Sequence, residues 1–399
     1  MPIRTSDRLG KLPGYPLAEI PAIKRRLIEA GVDVIDLGAG DNDTPPPAPV
    51  VEAMKAALDD PAMSKYGFQQ GNAEFRRAAS DYVARRFGHR FDAQAELLPL
   101  IGSKEGLAHL PFAFANPSDV VVLPEPGYQA YIGGALLSGA EPYVYPLTAD
   151  NGFLLELDKV PADKLARTRL VYLNYPNNPT AAVAPIDYLQ RTVAICRERG
   201  IVLAYDNAYC DLTFDGYRAP SIFDMPGATE VAVEFFSLSK SFSMTGWRVG
   251  FAVGARDLIG ALTKIKSYTD TGPFLAIQQA GVVALDRAEE FAKPIREELA
   301  RRRDAGVAAL AEQGLVVESP KAAMYLWIPL PAGIPSAKFT RYALETEGVV
   351  TLPGSGFGPA GEGYFRIALT VGAARLQEAI KRLGRALATF DAGTNAAAV

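Results

Sequence analysis

The chain has 399 residues, 49% of them hydrophobic and 22% charged, with a formal net charge of −4; this is enough for a large buried core and two domains, with an ordinary globular composition. The mild acidity, with no basic tract longer than Arg301-Arg302-Arg303, excludes a nucleic-acid footprint, and no apolar run approaches the roughly 20 residues that span a bilayer or forms a signal peptide. Two cysteines, Cys196 and Cys210, fit a reducing cytoplasm, and two histidines, His89 and His109, without metal-ligand spacing, argue against zinc chemistry or a Ser-His-Asp hydrolase, so no metal is expected.

In chain order, Leu12 to Pro16 reads as irregular backbone leading into a helix over 17–30. Residues 34–37 form a short strand that stops at Gly38-Ala39-Gly40, and the prolines at 45–47 make a rigid linker before a helix over 48–58. From about residue 100 helix and strand alternate: helix 105–115, strands 120–123, 142–145 and 170–173, an amphipathic helix 186–199, then strands 201–205, 231–236 and 249–253. Near-continuous apolar strands between helices predict an α/β fold, a mostly parallel sheet covered on both faces. Beyond Asp286 the texture changes to a long charged helix over 287–313, strands near 315–317, 325–328 and 364–368, and a closing helix over 373–388. The expected division is a large domain over 46–285, a smaller α+β domain from 1–45 with 286–390, and a flexible tail over 391–399.

The chemistry-bearing residues cluster where such a sheet binds ligands, at the carboxyl ends of strands. Ser237-Leu238-Ser239-Lys240 follows the apolar run 231–236, with Arg248 eight residues on; an amine that forms a Schiff base with an aldehyde cofactor needs such shelter, and a phosphate needs hydroxyls and a fixed cation. Asn174 to Thr180 and Asp206 to Tyr209 each follow another strand, and Gly102-Ser103-Lys104-Glu105-Gly106 opens a helix whose free N–H groups suit an anion. Each cluster has a local alternative: a solvated lysine at Lys240, a capped helix start at Gly102, a turn at Pro176 to Pro179, a helix cap at Asp206, core packing at Tyr128. Their convergence on one edge is what favours a site.

With Asn174-Tyr175-Pro176-Asn177-Asn178-Pro179-Thr180, Asp206-Asn207-Ala208-Tyr209, Ser237 to Lys240, Met244 to Arg248 and Phe365-Arg366-Ile367 in place, the chain resembles a fold-type I, pyridoxal-phosphate-dependent aminotransferase of class I/II over residues 34 to about 388. The stretches Ile101 to His109, Phe214 to Ser221 and Phe235 to Lys240 are most similar to the LL-diaminopimelate aminotransferases. The resemblance implies pyridoxal 5′-phosphate bound to Lys240, which also carries the proton from the substrate Cα. It implies Asp206 on the pyridinium nitrogen, Asn178 and Tyr209 on the ring oxygen, and Tyr128 stacked on the ring. Ser103, Lys104, Ser237, Ser239 and Arg248 would hold the phosphate, Arg366 the substrate carboxylate, and Gly40 would let backbone approach that carboxylate. It further implies a homodimer with shared sites, in which Tyr66 reaches the neighbouring subunit's phosphate, and a tyrosine, Tyr15, covering the substrate unless it merely staples the helix that follows.

Three positions depart from the family pattern: Asn42 after Gly40-Asp41, Ala181 after Asn178-Pro179-Thr180, and Tyr268, where the diaminopimelate enzymes often carry asparagine. The resulting expectation is transfer of an amino group from an L-amino acid, LL-2,6-diaminopimelate foremost, to 2-oxoglutarate, in lysine biosynthesis. Alanine, aspartate or succinyl-diaminopimelate are rival donors. A cystathionine-type carbon–sulfur lyase is the alternative reaction, and a cofactor-sensing regulator the alternative class.

Overall fold

The computed structural model describes residues 3–14, 19–68 and 70–391. Tyr15 and most of the expected tail lie outside them. The first strand, β1 (Ile35–Asp36), is followed by β2 (Leu97–Leu100), β3 (Val120–Glu125), β4 (Glu141–Pro146), β5 (Thr168–Leu173), β6 (Val202–Asp206), β7 (Ala232–Ser237) and β8 (Gly250–Gly254). Strands β2 to β8 make one sheet in the order β2-β8-β7-β6-β5-β3-β4. Its five central and edge strands from β7 to β4 run parallel, while β8 is antiparallel to both β7 and β2. The sheet is mostly parallel, as expected, but β8, read with the parallel set, runs the other way.

The sheet explains why its strands read as unbroken apolar runs. Successive side chains point to opposite faces, and both faces are covered. Val120, Val122, Val171, Leu203 and Phe236 enter one core with Phe75 and Val83 of helix Ala73–Phe87 and Leu189 and Val193 of helix Ile186–Arg199. Val121, Leu123, Leu170, Ala204 and Phe235 enter the other with Leu107 and Leu110 of helix Ser103–Phe114 and Ile259 and Leu262 of helix Arg256–Thr269.

A third core lies beside this layer. It is built on β9 (Tyr325–Pro329), β10 (Val349–Val350), β11 (Leu352–Pro353) and β12 (Tyr364–Ala368), with antiparallel order β11-β12-β9 and β10 parallel to β1. Helix Ala373–Thr389 lays Leu376, Ile380 and Leu383 against it. The 25-residue helix Ala288–Glu312 joins the layers: Phe291 and Ala292 pack in the first core, Leu299, Ala309 and Leu310 in the third.

The strand expected over 315–317 is absent. Gly314 takes φ +74° and the Leu315 N–H donates to the Leu310 carbonyl at 2.9 Å, so this segment caps the preceding helix instead of joining a ladder. The expected helix over 48–58 and strand over 364–368 stand at those limits. Among the described residues no helix is long and apolar enough to cross a membrane.

Candidate active site

The register Leu173↔Tyr205 and Asp206↔Phe235 brings the carboxyl ends of β5, β6 and β7 side by side. Asn174, Asp206 and Ser237 therefore emerge together, and they line a cavity of ≈ 420 Å³. Helix Ser103–Phe114 contributes Ser103 and Lys104, the third core contributes Tyr325 and Arg366, and the crossing after β1 contributes Gly40. Tyr128, Asn178, Tyr209, Ser239, Lys240 and Arg248 complete the expected set on the cavity wall. Tyr66 does not line it: its side chain is three-quarters exposed on the surface.

At one end the cavity is shaped for an anion. Gly102 caps the helix at φ +71°, and a Cβ there would sit 2.3 Å from Arg248 Nη2, so only glycine lets the guanidinium lie across the helix start. Arg248 itself adopts φ +56° and donates to the Thr245 carbonyl at 2.8 Å. Ser237 Oγ accepts from the Ser239 N–H at 3.2 Å, which tightens the turn ahead of Lys240.

Lys240 Nζ donates to the Gly40 carbonyl at 2.6 Å. Asn42 Nδ2 donates to the Lys240 carbonyl at 3.0 Å and to Ser243 Oγ at 3.1 Å, so the residue that departs from the family pattern braces the lysine's backbone.

Asp206 is buried at the end of β6. Tyr131 Oη donates to its Oδ2 at 2.7 Å, while Oδ1, also buried, has no hydrogen bond of ordinary geometry among the described residues. Burial pushes the carboxyl up to about 6, against the pull of Tyr131 and the Ala208 N–H. Asn174 fixes the strand ends: its Nδ2 donates to the Asp206 carbonyl at 2.8 Å and its Oδ1 accepts from the Asn178 N–H at 2.8 Å. Behind Asp206, Asn207 Nδ2 reaches Glu234 Oε1 at 2.6 Å and Ser221 Oγ reaches Oε2 at 2.5 Å, so Ser221 and Pro220 of the 214–221 stretch serve as backing for β6. Glu234 is fully buried, which pushes its carboxyl up to about 8.

Across the cavity, the buried Arg366 donates to Asn178 Oδ1 at 2.8 Å and to the Gly38 carbonyl at 2.7 Å, and its guanidinium lies 4.1 Å from the Tyr325 ring centroid. Tyr325 and Tyr209 share a 2.9 Å hydrogen bond between hydroxyls. A Cβ on Gly40 would come within 2.5 Å of the Tyr325 hydroxyl, so the space that glycine leaves here is filled by this tyrosine. Sequence reasoning passed over Tyr131, Asn174, Thr245 and Tyr325. Asn174 and Thr245 stood inside stretches already singled out and Tyr131 lies three residues beyond Tyr128, whereas nothing local marked Tyr325.

This arrangement can hold an anion at a helix start, a cation at Asp206, a carboxylate at Arg366, and an amine between them. A family model described as aminotransferase class I and II matches residues 32–383. The chain is 46% identical over 378 residues to the LL-diaminopimelate aminotransferase of Aquifex aeolicus, covering 95% of this chain and 98% of that one. Among solved structures it is similar to substrate-bound BacF from Bacillus subtilis, with TM-score 0.92 and 32% identity over 97% of this chain and 98% of that one. It is also similar to a probable N-succinyldiaminopimelate aminotransferase of Thermus thermophilus, with TM-score 0.88 and 37% identity over 93% of this chain and all of that one. With the full-length match and these strand-end residues in one cavity, the chain belongs to the class I and II aminotransferases.

Proposed function

We propose that this chain moves an amino group from LL-2,6-diaminopimelate to 2-oxoglutarate, using pyridoxal 5′-phosphate held covalently on Lys240 Nζ. The observation that carries the cofactor is the buried Asp206 Oδ1, on the cavity wall with no donor of ordinary geometry; a protonated ring nitrogen supplies the missing donor and a compensating charge. The donor is supported by the 46% identity to the Aquifex enzyme over almost both whole chains.

When bound, the cofactor supplies an electron sink for the charge left on the donor's Cα. Arg366 grips the donor's α-carboxylate with a planar fork, as an arginine does best. Lys240 Nζ would hold the cofactor's aldehyde carbon and, as general base and then acid, move the donor's Cα proton. Asp206 would hold the ring nitrogen and favour its cationic form, and Tyr209 and Asn178 would hold the ring oxygen. Tyr128 would pack against the ring. Ser103, Lys104, Ser237, Ser239 and Arg248 would hold the phosphate through hydroxyls, cations and helix N–H groups.

The functional unit in this reading is a homodimer, supported by the aromatic side chains of Tyr66, Phe68 and Tyr268 on the surface of the single chain. Its compartment is a reducing cytoplasm, in keeping with two buried free thiols.

The test is a screen of amino donors against 2-oxoglutarate that includes LL-diaminopimelate, its N-succinyl derivative, alanine and aspartate. The reading expects the highest kcat/KM with LL-diaminopimelate; a higher value for the succinylated donor would replace it. Lys240→Ala is expected to fold, lose the bound cofactor's visible absorbance and lose turnover. Retained transamination in that variant would refute the role of Lys240.

A further inference from the structure

Next to the phosphate end of the cavity lies a charged cluster that touches neither the cavity nor its reacting groups. Lys266, on helix Arg256–Thr269, is fully buried. Its ammonium donates to Glu105 Oε2 at 2.6 Å and to Asp270 Oδ1 at 2.6 Å. His109 Nδ1 meets the other Glu105 oxygen at 3.2 Å. Ligand atoms of Glu105, His109 and Asp270 lie within 4.8 Å of one another, as they would around a metal ion, and the cation that two of them contact is the lysine's own.

Glu105 stands in the first turn of helix Ser103–Phe114, two residues after Ser103 and next to Lys104. Its Oε2 also accepts the Ile101 N–H at 3.0 Å, so the same carboxylate fixes the backbone entering the Gly102 turn. Burial pushes its carboxyl up, but the His109 hydrogen bond and the Lys266 charge outweigh this and hold it below its usual range, so it is ionised. An ionised carboxylate at a helix start competes for the positive end of the dipole. Here that end must also receive a phosphate dianion.

We propose that Lys266 is a positioning residue for the cofactor's phosphate: its buried ammonium neutralises Glu105, so that Glu105 can shape the Gly102 turn without repelling the dianion. The inference rests on the pyridoxal phosphate reading above. Asp270 holds the ammonium from the far side and its Oδ1 also takes the Gly272 N–H at 2.7 Å, which ties the phosphate turn to the segment carrying Tyr268. Removing Lys266 leaves two half-buried carboxylates, those of Glu105 and Asp270, without their shared cation beside the phosphate end. Removing the charges of Glu105 and Lys266 together restores the wild-type sum.

The experiment compares apo-protein titrated with pyridoxal 5′-phosphate and with pyridoxal, which lacks the phosphate. For Lys266→Met the Kd of the phosphorylated ligand is expected to rise about tenfold or more, with that of pyridoxal changed less than about twofold, as one extra charge at short range implies. The double variant Glu105→Gln/Lys266→Met is expected to return to within about threefold of wild type. Should the single variant fail to fold, the double variant carries the test on its own, since a merely structural lysine would leave it as defective as the single change. Equal weakening of both ligands, or no change with the phosphorylated one, overturns the role of Lys266. A wild-type protein that binds pyridoxal as tightly as its phosphate sinks the cofactor reading instead.

Discussion

Arg366 and Gly40 show how much of the site is set atom by atom. The guanidinium of Arg366 satisfies Asn178 and Gly38 on two different segments while lying over the Tyr325 ring. A lysine has a single point of attachment and no plane to stack, so Arg366→Lys is expected to lower kcat/KM for the amino donor about a hundredfold, close to 3 kcal/mol, mostly through KM. Unchanged kinetics for every donor would remove Arg366 from the carboxylate site. Gly40→Ala tests the opposite wall. Its methyl would force Tyr325 off Tyr209, and a loss of about tenfold in kcat/KM is expected, with the fold retained by circular dichroism. Lys240, Asp206 and Arg248 were readable because each sits in a short run whose composition has a chemical reason. Tyr325 was not, because its partners Tyr209 and Arg366 lie 116 and 41 positions away and only the packed chain introduces them.

The element that supports the chemistry is the group of parallel strand ends β5, β6 and β7, and its weakest point electrostatically is Glu234 on β7. Its folded pKa of about 8 lies above the ordinary 4.5, so the folded state binds the extra proton. That contribution is fully present below about pH 4.5 and is lost as pH rises through 8, at roughly 1.4 kcal/mol per pH unit in the window. Glu234→Gln, which keeps the shape and can still receive from Ser221 or Asn207, is expected to flatten the fall in Tm of the apo-protein between about pH 5 and 8. Parallel Tm profiles for the two proteins would show that Glu234 is ionised throughout. Elements differed in how openly the sequence declared them. Strands β3 and β5 to β8 were readable from unbroken apolar runs, and helix Ile186–Arg199 from its amphipathic period. Helices Gln129–Ser138 and Leu275–Asp286 were missed, because they carry little apolar bias to either face and Gly133 and Gly134 weaken the helical signal of the first. The segment 315–317 was misread because its unbroken apolar run, Leu315-Val316-Val317, mimics a strand while the Leu315 N–H is spent on a helix cap.

Across the whole molecule, the layers are joined by specific contacts. Arg302, buried on helix Ala288–Glu312, holds Asp43 with two hydrogen bonds at 2.9 and 3.0 Å, Glu298 at 2.7 Å and the Leu369 carbonyl at 3.1 Å. It thereby fastens the proline linker to the third core. Arg302→Met leaves these acceptors unanswered and is expected to cost roughly 3 kcal/mol in urea unfolding. A change below about 0.5 kcal/mol would mean the linker is held by packing alone. The paired-subunit reading predicts a sedimenting mass of twice the chain, and a Tyr66→Phe variant that binds pyridoxal phosphate less tightly but pyridoxal equally well. The amino-acid sequence by itself determined the alternation of strand and helix, the chemistry of each cluster and the family they resemble, because these depend on neighbours a few residues apart. Only the tertiary structure decided the antiparallel sense of β8, the tyrosine pair over Gly40 and the lysine that neutralises Glu105. Each of those depends on which distant segments share a face, and that is settled when the cores close.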